Sequence, residues 1–139
     1  DGMRLISVVL GTKSPAARAN ESQALLNYGY RFYETQLLWE KGEIIAHARV
    51  WKGADENIDL IVNNSVYVTI PKGTANQLET RIEIPDQVIA PVSQKTPIAR
   101  ATTIVDGETV AAVDLYSAIT VPEGSLMQTT WDEVLLWFE

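Results

Sequence analysis

The sequence predicts a mainly β chain: a small antiparallel β-sandwich or barrel module, preceded by one strand and one helix and followed by a short amphipathic helix. Three observations predict it. Between Glu43 and Tyr116, short strand-like runs recur with turn signals and no helical period between them, the pattern of small antiparallel sandwiches and barrels. Ahead of them stands a nearly continuous apolar run, residues 4–11, and then a helix-start signal at Ser14-Pro15. Behind them, Trp131, Val134, Leu135 and Phe138 fall at i, i+3, i+4 and i+7, one stripe of a helix.

Residues 4–11 read as a strand apolar on both faces, which needs sheet neighbours to cover it. Asp1-Gly2 runs straight into it, as if the chain were cut from something upstream. Ser14 suits a helix N-cap and Pro15 the first helical position. From 16 to about 33 the period is helical, with Leu25, Tyr28 and Phe32 on one stripe. Gly29 inside it weakens the helix or permits close packing. After Thr35 the period changes, and residues 36–42 read as a linker between two unlike pieces. Strands follow at 43–51, 58–62, 66–70, 78–84, 98–105 and 109–116. Lys52-Gly53, Asn63-Asn64, Pro71-Lys72-Gly73, Pro85-Asp86 and Asp106-Gly107 punctuate them, the last being a strong two-residue hairpin signal. Pro122-Glu123-Gly124 ends the β region. In the tail, Leu136 and Trp137 widen the apolar stripe.

Composition excludes several functions. The formal charge is −7 and the 11 Lys and Arg are scattered singly, whereas nucleic acid binding needs a basic patch that displaces counterions. With no cysteine there is no disulfide, thiolate metal site or Cys nucleophile. The single histidine, His47, sits in a predicted strand with no Ser or Cys partner nearby in sequence. It reads as a sheet residue facing solvent, and a histidine-based zinc site is improbable on one His. Asp55, Glu56, Asp59, Glu79, Glu83, Asp106, Glu108 and Asp114 fall at turns or alternate strand positions, where a solvated face is the default. Residues 55–59 lack the regular oxygen alternation and central glycine of a calcium loop. No phosphate-cradling loop and no G-x-S-x-G elbow occurs. No Ser is followed three residues later by Lys, and Lys95-Thr96 runs into Pro97, which lacks the N–H a substrate-lining strand uses. No catalytic, cofactor-binding or metal-binding residue is therefore expected, and no cofactor.

Arg18-Ala19-Asn20-Glu21-Ser22 and the string from Leu25 to Thr35, preceded by residues 4–11, resemble the end of the peptidase domain of D-alanyl-D-alanine carboxypeptidases. These are the low-molecular-mass penicillin-binding proteins of the bacterial periplasm. The resemblance continues through Val50-Trp51-Lys52-Gly53, Val68-Thr69-Ile70-Pro71-Lys72-Gly73, Ala90-Pro91-Val92, Asp106-Gly107 and Val121-Pro122-Glu123-Gly124, nearly the whole chain.

The resemblance implies a parent enzyme, a serine peptidase that trims peptidoglycan stem peptides and that penicillin acylates. It transfers no catalytic residue, because the family's catalytic motifs lie upstream of these strings. It implies that residues 1–35 are the last strand and helix of an α/β peptidase domain. Residues 36–124 become the β-rich C-terminal module, which positions the peptidase relative to the membrane, and 125–139 an amphipathic tail. The implied location is the periplasm, at the inner membrane. Trp131, Val134, Leu135, Trp137 and Phe138 are then candidate membrane contacts. The tail departs from the usual pattern, since surface-seeking helices carry Lys or Arg and this one carries Asp132, Glu133 and Glu139. Its alternative is a helix packed on its own module or on another copy. The expected partners are the missing peptidase domain of the same protein, or a second copy paired through the N-terminal strand. Two further readings stay open: an independent β-sandwich module for an envelope partner, and a small enzyme with an unrecognised carboxylate site.

Overall fold

The computed structural model describes residues 2–124; the predicted amphipathic tail and its five candidate contacts lie outside them. Helix α1 spans Pro15–Phe32, with the Ser14 side chain accepting from the Ala17 N–H as the sequence predicts for an N-cap. Eight strands follow: β1 (Tyr33–Trp39), β2 (Ile44–Trp51), β3 (Asn57–Ile61), β4 (Val66–Pro71), β5 (Glu79–Glu83), β6 (Val88–Ile89), β7 (Pro97–Val105) and β8 (Glu108–Ser117). A 3₁₀ turn, Ala75–Gln77, precedes β5.

β1 and β4 form a two-stranded antiparallel ribbon, and the other six strands form one sheet in the order β5-β7-β8-β3-β2-β6. The expected antiparallel module is therefore present, with one parallel exception, β2 against β6. Side chains alternate as a sheet packed on one face requires. In β7, Ala99, Ala101, Thr103 and Val105 are buried while Arg100 is exposed. Most of the six-stranded sheet feeds one core, built on Val50, Ile58, Leu60, Leu115 and Val121. A smaller core of Val68, Ile70 and Val105 lies where the ribbon crosses the sheet. Buried Thr103 meets the Thr80 hydroxyl at 3.1 Å, so its polar atom is satisfied inside.

The Asp106-Gly107 hairpin turn forms with both residues at positive φ, 49° and 82°, the conformation its sequence favours. The chain after β8 is pinned on two sides. Val121 and Val92 exchange both backbone bonds at 2.9 and 2.8 Å, the Ala54 N–H donates to Pro122 O, and the Gly124 N–H donates to Lys52 O.

Two expectations need correction. Residues 36–42 are not a linker: 36–39 belong to β1, which starts directly after the helix and pairs with β4 from Tyr33↔Pro71 to Trp39↔Val66. Residues 4–11, which the sequence marks as a strand covered on both faces, form no strand. Instead Met3, Leu5, Ser7 and Val9 are half-buried and Arg4, Ile6, Val8 and Leu10 are exposed, the period of an extended segment covered on one face only. Among the described residues it pairs with no strand.

Candidate interaction surface

The residues with catalytic chemistry do not converge. His47 lies on the solvent face of β2, where its Nδ1 meets Asp59 Oδ1 at 2.7 Å, directly across the β2–β3 ladder. Seven of the eight carboxylates singled out above are exposed, and Asp59 is half-buried. Among the described residues no group of three or more His, Asp or Glu could hold a metal ion. Lys95 and Thr96 form a turn on Ser93, Lys95 N–H to its hydroxyl at 3.2 Å and Thr96 N–H to its carbonyl at 3.3 Å. That turn delivers Pro97 to the start of β7, so Lys95-Thr96 lines no strand. On the same outer face as His47, the Arg49 guanidinium stacks 3.9 Å over the Trp51 ring and covers it.

The unusual surface lies at the N-terminal end. Helix α1 contains no buried residue. Its half-buried positions are Ala17, Ser22, Leu26 and Gly29. Gly29 is where the segment comes closest: a Cβ there would stand 2.5 Å from Leu5 Cδ1. Of the two meanings open to Gly29, close packing is the one realised. The stripe that the sequence marks as apolar is bare, with Leu25, Tyr28 and Phe32 about half exposed. Tyr28 meets Phe32 in a tilted ring contact at 4.7 Å between centroids, which keeps the aromatic surface contiguous. Beyond it, Ile6, Val8 and Leu10 are 77%, 75% and 87% exposed. A bare apolar face on a helix, beside an extended segment with a second one, marks an interaction surface. Covering Ile6, Val8 and Leu10 would contribute on the order of 5 kcal/mol.

One connection was not visible in the sequence. Lys72, which reads as part of a plain turn, donates its Nζ to Tyr30 O at 2.9 Å, at the C-terminal end of α1. The two residues are far apart in the chain, and no local pattern joins them. Among the described residues no helix is long and apolar enough to cross a membrane.

Comparison with known proteins identifies the module. Residues 33–123 match the family model of the penicillin-binding protein 5 C-terminal domain. The chain is 32% identical over 137 residues to the D-alanyl-D-alanine carboxypeptidase DacC of Escherichia coli, covering 98% of this chain and 34% of that protein. It is 31% identical, again over 98% of its length, to DacA of Haemophilus influenzae. Among solved structures, penicillin binding protein 5 from Haemophilus influenzae superposes with a TM-score of 0.76 at 28% identity, over 83% of this chain and 34% of that one. The chain thus spans about a third of the length of the curated relatives it matches. On the match of 33–123, the chain belongs to the family of the penicillin-binding protein 5 C-terminal domain, the C-terminal part of D-alanyl-D-alanine carboxypeptidases.

Proposed function

We propose that this chain is the non-catalytic C-terminal portion of a serine-type D-alanyl-D-alanine carboxypeptidase that trims peptidoglycan stem peptides. In this reading residues 1–35 complete the peptidase domain, 36–124 form the β module that positions it, and 125–139 meet the inner membrane surface from the periplasm. The supporting observation is the unburied helix α1 beside the half-covered segment 3–10. An extended apolar segment with one bare face and no sheet neighbour is an aggregation hazard alone. It becomes an ordinary core strand once the rest of the peptidase lies on it. Its unpaired edges also favour a second reading, in which two copies exchange the strand.

The test is labelling of the native protein with fluorescent penicillin, read on native and denaturing gels. The expected label runs on a polypeptide segment other than this chain that co-migrates with it natively. Label on this chain itself would refute the non-catalytic role. No label on folded native material would sink the peptidase reading and leave an independent binding module.

The tail has its own test. Trp131→Ala with Phe138→Ala should lower the partition coefficient onto vesicles containing anionic lipid by about 30-fold or more, read by flotation, since each aromatic contributes on the order of 1–2 kcal/mol of buried apolar area. Unchanged flotation would show that the tail does not hold the membrane.

A further inference from the structure

Helix α1 meets the β module at its C-terminal end, through polar bonds and a ring contact. The helix buries no residue, and its Tyr28 ring meets Tyr33 of β1 at 6.3 Å between centroids, a contact half open to solvent. Phe32 and Tyr33 are the last residue of α1 and the first of β1, so no loop separates helix from sheet. Tyr33 is extended, at φ −120° and ψ 156°, while its N–H still donates to Gly29 O. Beside this bend lies a cavity of about 500 Å³ lined by Met3, Tyr30, Tyr33, Glu34, Gln36 and Lys72. Packing at the bend is therefore incomplete.

Two bonds from the turn after β4 reach the end of α1, and a third ties the turn to β1. The Lys72 N–H donates to Phe32 O at 2.9 Å. The Lys72 ammonium donates to Tyr30 O at 2.9 Å. The Gly73 N–H donates to Glu34 Oε1 at 3.3 Å, on the strand side, from a glycine whose φ of 84° turns the chain back. The last carbonyls of a helix lack intrahelical partners and carry the negative end of its dipole, so an ammonium suits them. The backbone bond alone is a pivot at Phe32. The side-chain bond, two residues further back along the helix, is a second point of attachment off that pivot.

We propose that Lys72 is a positioning residue: its side chain latches the C-terminal end of α1 to the β module and fixes the direction of the helix relative to the sheets. Whatever covers the bare face of α1 is then held at a set angle to the module. The latch involves only residues of this chain and stands or falls apart from the parent's activity.

The chain has no cysteine, so Asn20→Cys with Lys95→Cys places one spin label on α1 and one on the β module, both at exposed positions. In the full chain, pulsed electron resonance should give one narrow distance distribution. Lys72→Met should broaden it about twofold, as a freed hinge does, with the melting transition of the β module unchanged. Lys72→Arg, which keeps a cation and donors, should restore the narrow distribution. An unchanged width in Lys72→Met overturns the proposal. Broadening accompanied by loss of the β-module transition overturns it as well, because Lys72 would then support the fold instead of an angle.

Discussion

Leu60→Ala is expected to lower the stability of the β module by about 3 kcal/mol, and the melting temperature by roughly 15 °C. Leu60 has no solvent exposure and lies in β3, between β2 and β8. Its cross-strand partners are Ala46 and Ser117, both too small to move into the space left behind. Ile58 and Val62, two positions away on the same face, are buried and stiff at χ1, so the site collapses little. Urea unfolding followed by tryptophan fluorescence would measure it, because Trp39 and Trp51 are both buried. Tyr67→Ala is the control: that side chain is 64% exposed and should change stability by no more than about 0.5 kcal/mol. A loss below about 1 kcal/mol at Leu60 would contradict the core described for this module.

Gly53→Ala should cost about 2 kcal/mol, by crowding. A Cβ at Gly53 would stand 2.9 Å from Val50 Cγ1, 2.9 Å from Val121 Cγ1 and 3.0 Å from Asp55 O. Two of these neighbours are methyls of buried valines and the third is backbone, so none can swing aside cheaply. Gly42 differs in kind: nothing stands within 4 Å of its Cβ position, but its φ is 81°, so any cost there comes from the backbone. The double variant Gly53→Ala, Val121→Ala separates the two causes. If crowding is right, its loss is smaller than the sum of the single losses. Simple additivity would mean that Gly53 is needed for another reason.

Much of the β module was legible because its strands alternate and its turns carry their own chemistry. Of the seven strands read from the sequence, the six inside the module form, with ends shifted by a residue, and the one at 4–11 does not. β1 was missed because Tyr33 continues the aromatic pattern of the helix, and Glu34, Thr35 and Gln36 show no apolar alternation. Its strand character comes from β4, whose partner residues lie far along the chain. β6 has two residues and pairs in parallel with β2, too short for any periodic signal. The candidate interaction surface was half legible. The apolar character of residues 4–11 and of Leu25, Tyr28 and Phe32 is written in the sequence. Which of those faces the helix and segment cover for each other, and which they leave bare, depends on Gly29 admitting Leu5 and on nothing periodic. The role of Lys72 is a matter of tertiary geometry alone.

The pinning of residues 121–124 has a mechanical consequence. Traction applied to the chain beyond Gly124 does not meet a slack loop. It arrives at a segment bonded to Val92 on one side and to Lys52 and Ala54 on the other, with Val121 fully buried between them. The strain is therefore divided between both flanks at once and passed into the sheet through β2, so that a tether fixed to this end would pull on the module as a block.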